Sequence, residues 1–274
     1  MRSARFGLAI AFAAVAIFYA VSAVAQKQSA PAASNWIEGV SVGRNAVVDM
    51  TYPVNEKFPA WAVGDHVFEA KTSATVEKDG YFMRSFWMLE HYGTHMDAPA
   101  HFPPGKITLD EIPDTHFFGP AAVIDVREEV AKDPDYRLTV ARLHKWEGEH
   151  GQIPKGAIAV LRTGWGARVA DADRYRNMDA NKVMHFPGYS VESAKLLIER
   201  GVVGLGIDTL SVDYGGSKEF EVHRVDLPAR LYNLENLANT DSLPESGAYL
   251  VAAPIKLAGG SGGPVRVFGV LPPK

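Results

Sequence analysis

The sequence of 274 residues contains no cysteine. Disulfide bonds and a lipid-modified cysteine anchor are therefore excluded, and the folded chain has to be stabilised by burial alone. Positive charge is in slight deficit, because the chain has 28 lysines and arginines and 32 aspartates and glutamates, for a formal net charge of −4. This balance gives no basic surface for nucleic acid, and we expect no nucleic-acid partner.

One glycine-rich stretch, Gly260-Ser261-Gly262-Gly263, has to be considered as a catalytic motif. It lacks the strand-to-helix flanks of a serine nucleophile elbow. It also lacks the Lys-Ser or Lys-Thr ending of a phosphate-binding loop. We therefore expect a flexible turn between two strands, at the rim of a pocket.

Only one long apolar run occurs, from Phe6 to Ala25. Arg2 and Arg5 precede it and Ala23-Val24-Ala25 ends it, which is the three-part pattern of a secretory signal peptide. Residues 1–25 are therefore predicted to be a signal peptide cleaved after Ala25, which predicts a periplasmic or secreted protein. The alternative is a retained anchor, because the run is nearly long enough to span a bilayer.

Cleavage would remove two arginines and no acid, which changes the formal charge from −4 to −6. Residues 26–35 are rich in Gln, Ser, Ala and Pro and are predicted to form a disordered spacer. Residues 36–274 contain no repeat and no linker and are predicted to form one domain. Because this domain has no further long apolar run, we expect the mature protein to be soluble and free of the membrane.

Short apolar runs typical of strands recur along this domain, and two segments have helical periodicity. The predicted strands are 47–52, 82–89, 121–126, 157–162, 202–208, 250–255 and 265–270. The predicted helices are 139–149, capped by Thr139, and 190–200, capped by Ser190 and ended by Gly201. Many strands with few covering helices indicate a mixed α/β fold with a substantial sheet.

The segment from His91 to Phe102, His-Tyr-Gly-Thr-His-Met-Asp-Ala-Pro-Ala-His-Phe, is the most informative part of the chain. Alternate side chains of an extended strand point the same way. Four groups would then share one face of a strand: His91, His95, Asp97 and His101. Imidazole nitrogens and carboxylate oxygens are ligands by which proteins bind Zn²⁺ and Mn²⁺, so the segment predicts a metal site.

The motif cannot bind one ion as a straight strand, because eleven extended residues span about 33 Å. The chain therefore has to bend, and Gly93 and Ala98-Pro99 are the expected places. His95 and Asp97 need the least bending to bind one ion together. The alternative is a half-buried strand with satisfied core imidazoles, which would bury three histidines and an aspartate without a cation at considerable cost.

A catalytic metal site usually needs ligands from a second segment. The remaining histidines are His66, His116, His144, His150, His185 and His223. His144 and His150 lie at a polar helix and are expected to be exposed, and His185, in a loop, is a weak candidate. His223 is the better one, with Glu235 twelve residues further on. The alternative for Glu235 is an ordinary surface carboxylate.

Four aromatic residues lie near the motif in the sequence: Trp61, Phe86, Trp87 and Phe102. They either line a pocket for a flat ring or pack in the core. Sequence alone favours neither.

The pattern His-x-Gly-Thr-His-x-Asp-x-Pro-x-His at 91–101 resembles the signature of the metal-dependent cyclase family. That family includes bacterial kynurenine formamidases, isatin hydrolases and some polyketide-associated cyclases. Further blocks that look like the family's follow in order at 161–165, 186–190, 204–209, 252–256 and 263–267. The resemblance implies a swivelling β/β/α domain with a mixed sheet core, assembled as a homodimer or homotetramer and acting on a small molecule.

The same resemblance implies roles for individual residues. His91, His95 and Asp97 would bind metal, and His101 would transfer a proton. In the formamidase branch a later histidine and a glutamate twelve residues on complete a two-zinc site, and His223 and Glu235 have that spacing. Isatin hydrolases bind a single manganese and lack the glutamate. A zinc or manganese site is therefore implied, with Glu235 favouring two ions per subunit and one ion as the alternative.

These features predict a metal-dependent hydrolase that acts on a C–N bond other than a peptide bond, in a small aryl formamide or cyclic amide. Metal-activated water would act with His101 as general acid and base. The alternatives are a metal-dependent cyclase or lyase acting on a small carbonyl compound, and a non-catalytic exported metal-binding protein. Extra length around 133–150 and 171–182 and the export signal depart from the formamidase pattern, so the substrate of that enzyme is not carried over.

Overall fold

The computed structural model describes residues 36–61 and 66–273. The predicted signal peptide and the predicted spacer lie outside the described residues. The chain divides into two units, 1–43 and 44–274. The described part of the first unit contains one helix, α1 (Trp36–Ser41). Within the described residues no helix is long and apolar enough to cross a bilayer.

The second unit contains the strands and the remaining helices. The strands in its described part are β1 (Val47–Asp49), β2 (Phe68–Ala74), β3 (Met83–Met88), β4 (His95–Asp97), β5 (Phe118–Asp125), β6 (Arg137–Leu138), β7 (Ile158–Arg162), β8 (Gly188–Tyr189), β9 (Gly204–Ile207), β10 (Tyr232–Glu235), β11 (Tyr249–Pro254) and β12 (Gly262–Val270). The helices there are α2 (Val76–Asp79), α3 (Arg127–Val130), α4 (Val140–His150), α5 (Ala172–Arg176), α6 (Val191–Arg200) and α7 (His223–Asp226). The prediction of a mixed α/β fold is confirmed.

Eight of these strands form one mixed sheet in the order β1-β12-β11-β5-β7-β9-β10-β4. The neighbours β5, β7, β9 and β10 run parallel, and the other pairs are antiparallel. The long strand β12 also pairs with β4 at the far end of this order. The sheet therefore closes into a ring that holds β4 between β10 and β12.

Strand residues fill two apolar layers, one on each face of the sheet. Val123 and Val160 belong to the layer that also contains Met96 of β4. Ile124 and Leu161 belong to the other layer, against the helices. All five residues of β7 are buried, because both faces of this parallel strand are covered.

The two helices predicted from periodicity are present, and their predicted caps form. The Thr139 side chain accepts a hydrogen bond from the Arg142 N–H at the start of α4. Ser190 caps α6 in the same way, and Gly201 ends that helix in the left-handed conformation at φ 75°. The chain then continues directly into β9, which agrees with the predicted helix-to-strand order.

Asp208 joins the loops that follow the parallel strands. It is buried at the end of β9 and accepts hydrogen bonds from the Thr163 N–H and hydroxyl and from the Gly164 N–H. The Thr240 hydroxyl donates to it from the loop after β10. One carboxylate thus fixes three loops relative to one another, which explains why the sequence blocks around 163 and 208 belong together.

The glycine-rich stretch differs from the expected flexible turn. Gly262 and Gly263 already belong to β12 and pair with Asp97 and Met96 of β4. The Ala98 N–H donates to the Ser261 carbonyl at 2.8 Å. The turn is therefore shorter than predicted, and β4 holds it in place.

Candidate metal centre

The histidine motif bends at both places that the sequence indicates. Gly93 has φ 71°, a left-handed conformation that glycine adopts without strain. After β4, a 3₁₀ turn follows at Pro99–His101. The motif is therefore a turn, a three-residue strand and a second turn, and it folds back on itself.

The pairing of β4 brings the second segment to the motif. Met96 points into the apolar core, so its neighbours His95 and Asp97 point to the opposite side. Glu235 of β10 lies directly opposite His95. Residues directly opposite in an antiparallel pair are side-chain neighbours on the same face, so the strand register places Glu235 beside the motif.

Four buried side chains form an inner cluster: His95, Asp97, His223 and Glu235. The Nε2 of His95 lies 3.2 Å from Oδ1 of Asp97 and 3.4 Å from Oε2 of Glu235. The Nε2 of His223 lies 3.2 Å from Oδ2 of Asp97 and 3.5 Å from Oε1 of Glu235. Ligands bound at about 2.1 Å to a tetrahedral zinc ion lie about 3.4 Å apart. The ligand atoms of His95, Asp97 and Glu235 all lie within 4.8 Å of one another and fit one divalent ion, while His223 faces the other oxygen of each carboxylate.

The outer ring nitrogens of the two inner histidines are already engaged. The Nδ1 of His95 lies 3.0 Å from the Gly93 carbonyl, which can only accept, so this nitrogen carries a proton. The Nδ1 of His223 lies 2.6 Å from Oδ2 of Asp213. The Nε2 of each ring therefore faces the carboxylates, and once deprotonated it presents its lone pair there, as metal-binding histidines do. Such a set of acceptors fits a cation.

His91 and His101 form the outer part of the site. The Nδ1 of His91 lies 2.6 Å from Oδ1 of Asp97, and the ring of His101 stacks on that of His91 with centroids 3.9 Å apart. The potential ligand atoms of His91, Asp97 and His101 lie within 4.8 Å of one another. The structure thus brings all six predicted site residues together, around Asp97.

The charges of the cluster shift its pKa values strongly. Burial opposes the charged form of His95, but Asp97 and Glu235 outweigh it and raise the pKa of His95 to about 9. Burial is likewise outweighed at His223, where Asp213, Asp97 and Glu235 raise the pKa well above its usual value. Burial would raise the pKa of Asp97, but the neighbouring histidines hold it well below the usual range.

His101 responds in the opposite way. Burial lowers its pKa to about 4, and the attraction of Asp97 does not reverse this effect. His101 is therefore neutral at neutral pH, whereas the raised pKa values of His95 and His223 favour their protonated forms.

The other histidine candidates lie elsewhere. His185 pairs with Asp135 at 2.7 Å and does not line the cavity of the site. His144 and His150 are both exposed, as predicted, and His150 lies 3.4 Å from Glu245.

A cavity of about 300 Å³ opens over the site and has an aromatic wall. Trp61 and Phe102 both line it, each in contact with the ring of Phe220. Phe86 and Trp87 instead lie on the β2–β3 hairpin, 64% and 47% exposed. Two of the four aromatic candidates therefore contribute to the pocket.

A larger cleft, of about 840 Å³, contains none of the six predicted site residues in its lining. Arg137 and Glu192 line it, and so does Asp213, which reaches His223 from that side. We therefore place the chemistry in the smaller cavity, where the ligands converge.

Sequence analysis missed Asp213 and Phe220. Asp213 ends the run Leu210-Ser211-Val212-Asp213, and an acid after an apolar run was the available signal. Its partner His223 is ten residues away, without helical or strand spacing that would connect them. Phe220 had no signal beyond its position three residues before His223.

A family model named Cyclase matches residues 48–214 of the chain. An isatin hydrolase from Roseibium aggregatum is 35% identical over 246 residues, covering 84% of this chain and 93% of the relative. A kynurenine formamidase from Paracidovorax citrulli is 30% identical over 220 residues, covering 80% and 93%. The solved structure of an isatin hydrolase bound to the product analogue thioisatinate has a TM-score of 0.81 at 31% identity, covering 89% of this chain and 100% of the other.

Metal binding is expected to release protons. At neutral pH the metal-free site holds protons on His95 and His223, because both pKa values are raised. A divalent ion needs the Nε2 lone pairs and has to displace these protons. We therefore expect more than one proton to be released at about pH 7, measured by calorimetric titration with Zn²⁺ or Mn²⁺ in two buffers of different ionisation enthalpy.

The raised pKa of His95 determines how the stability of the metal-free fold depends on pH. Its proton stabilises the metal-free fold fully below the unfolded value of about 6.5. That contribution is lost as the pH rises through about 9. Ion affinity should increase over the same interval, and binding without proton release would contradict this account of the site.

Proposed function

This chain belongs to the cyclase family, and on that premise we propose that it is a metal-dependent hydrolase of a small aryl formamide or cyclic amide. The bond cleaved is a C–N bond other than a peptide bond. The observation that carries the proposal is the convergence of buried acceptors from His95, Asp97, His223 and Glu235 beneath an aromatic cavity. The similarity of the chain to an isatin hydrolase and a kynurenine formamidase supports the same reaction class.

We propose that His95, Asp97, His223 and Glu235 bind zinc or manganese, with His95, Asp97 and Glu235 close enough to share one ion. His91, with Asp97 shared, would hold a second ion, because its Nδ1 faces the same carboxylate. A divalent ion in such a site polarises a carbonyl group and lowers the pKa of bound water toward 7. Two ions per subunit would agree with the presence of Glu235.

His101 is proposed to move the proton that amide hydrolysis requires. Because burial lowers the pKa of His101 to about 4, its neutral ring can accept a proton from the attacking water. The same ring nitrogen can then return the proton to the departing nitrogen, which leaves poorly as an anion. Its contact with the His91 ring places it at the ligand cluster.

The aromatic wall is proposed to bind the ring of the substrate. Trp61, Phe102 and Phe220 form this wall, and the cavity volume is at the lower end of the range for ligand pockets. A compact flat molecule therefore fits better than an extended one. The site would orient its carbonyl toward the inner cluster.

Export and assembly are proposals that rest on the sequence. The Arg2–Ala25 pattern supports a periplasmic or secreted protein with a cleaved signal peptide. The family resemblance supports a homodimer or homotetramer.

Removing the proton carrier and removing a ligand should have different effects. We expect His101→Ala to retain metal and to lose turnover by about 10²- to 10⁴-fold, the usual contribution of a general acid or base. Asp97→Ala should lose both metal and turnover, because Asp97 faces three histidines. Metal content by atomic emission and kcat on an aryl formamide and on isatin would separate these effects, and normal turnover by His101→Ala would refute its role.

Shortening the aromatic wall should weaken substrate binding. Phe220→Ala removes the ring that contacts both Trp61 and Phe102, and we expect KM for an aryl amide to rise about tenfold or more. Phe118→Ala is the matched control, because Phe118 is exposed and lies outside the cavity lining. Equal KM values for the two variants would place the substrate ring elsewhere.

Protein recovered from cells expressing the full chain tests export and assembly together. The mature N-terminus should be Gln26, which N-terminal sequencing of the periplasmic or medium fraction would detect. Light scattering should give two or four times the subunit mass. An intact Met1 in the membrane fraction would support the retained anchor instead.

A further inference from the structure

We propose that Glu90 and Ser261 are positioning residues that hold the His91 ring in one tautomer, with Nδ1 presented to the metal centre. This inference rests on the proposed function, because it concerns a residue assigned there as a ligand. The sequence suggested Ser261 only as a candidate nucleophile, and it gave no signal for Glu90. Their role follows from the direction of the hydrogen bonds between three segments of the chain.

Glu90 fixes the hydroxyl proton of Ser261. One carboxylate oxygen of Glu90 accepts from the Ser261 hydroxyl at 2.6 Å and from the Ser261 N–H at 2.9 Å. The Gly262 N–H donates to the same oxygen at 3.3 Å. A carboxylate oxygen can only accept, and a serine hydroxyl has a single proton, so Ser261 donates that proton to Glu90.

The Ser261 oxygen can then only accept a hydrogen bond from His91. The Nε2 of His91 lies 2.9 Å from this oxygen, so Nε2 is the nitrogen that carries the proton. In the neutral ring the lone pair is then on Nδ1, which lies 2.6 Å from Oδ1 of Asp97. Two lone pairs at this distance repel each other unless a proton or a metal cation lies between them.

This arrangement makes His91 different from the inner histidines. His95 and His223 have their Nδ1 atoms bound to Gly93 and Asp213 and present Nε2 to the cluster. His91 presents the opposite nitrogen. The outer partner of each ring thus determines which nitrogen is available, and the serine hydroxyl has this function for His91.

The backbone near Ser261 is shaped to receive the His91 ring. A Cβ atom at Gly262 would lie 2.5 Å from Cε1 of His91 and 2.7 Å from the Met96 carbonyl oxygen. The absence of a side chain at Gly262 therefore allows the ring to approach the strand. His101 stacks on the same ring. Contacts with the strand and with His101 limit rotation, and the hydroxyl selects the tautomer.

The test compares three serine variants by their zinc affinity, measured by competition with a chromophoric chelator. Ser261→Ala removes the acceptor, and we expect about 10- to 100-fold weaker binding of the most weakly held zinc ion, the usual effect of losing an outer partner. Ser261→Thr keeps the hydroxyl and should restore affinity to within about threefold of wild type. Ser246→Ala is the matched control, because it removes a serine–histidine contact at the surface, with His150.

Glu90→Ala is expected to weaken zinc binding like Ser261→Ala, because the serine hydroxyl would then be free to rotate and to donate toward His91. The double variant with Glu90→Ala and Ser261→Ala should bind zinc no more weakly than either single variant, since both changes remove the same constraint on the His91 ring. Additive losses would mean that Glu90 and Ser261 act independently. That result would overturn the proposal that Glu90 acts through the Ser261 hydroxyl.

The tautomer can be observed directly in the zinc-loaded wild-type protein with ¹⁵N-labelled histidine. We expect one ring, assigned to His91 by its loss in His91→Ala, to carry its proton on Nε2 and its metal-shifted signal on Nδ1. The inner rings should show the reverse pattern. A proton on Nδ1 of His91 would overturn the inference without any dependence on variant folding.

These measurements separate the inference from the proposed function. Wild-type protein that binds zinc but hydrolyses none of the amides would contradict the function, while affinity and tautomer would still decide the role of Ser261. Conversely, an active enzyme whose Ser261→Ala and Glu90→Ala variants bind zinc like wild type would contradict the inference alone. Protein that takes up no zinc would contradict both.

Discussion

A buried concentration of negative charge is the constraint on which this site depends. Asp97 and Glu235 are both buried, and the Nε2 atoms of His95 and His223 point toward them. Carboxylates removed from water are stable only when positive charge and hydrogen bonds compensate for their lost solvation. Protons on the histidines supply that charge in the metal-free protein, and a divalent ion would replace them. Protons and a divalent ion are therefore alternative sources of the positive charge that the buried carboxylates require.

The closed sheet holds these groups together despite the free-energy cost of burying their charges. Strand β4 has only three residues, too few to hold a register by itself, but it pairs with β10 on one side and β12 on the other. A slip of one residue would turn Met96 toward the cavity and the two ligands beside it into the apolar core. The apolar layer below the strand and the polar cluster above it therefore select the same register.

The imidazoles differ in where their outer partners come from. His95 is held by the carbonyl of Gly93, two residues away, and His223 by a carboxylate ten residues away. The contact of His91 with Ser261 joins residues 170 positions apart in the chain. The outer histidine thus depends most on the closed sheet, because only the pairing of β12 with β4 brings its serine to the motif.

The sequence by itself determined those features that depend on residues close together in the chain. The imidazole and carboxylate types at 91–101, the bends at Gly93 and after Ala98, the two capped helices and the mixed α/β class all follow from neighbours within one segment. The tertiary structure decided which side chains meet: Glu235 opposite His95, Asp213 behind His223, Ser261 beside His91, and an aromatic wall that includes Phe220 and leaves out Trp87. The glycine-rich stretch was expected to be flexible, because its pairing with β4 cannot be read from its own residues. Contacts across a sheet are set by strand register and by the burial of distant segments together, and neither leaves a periodic signal in a single sequence.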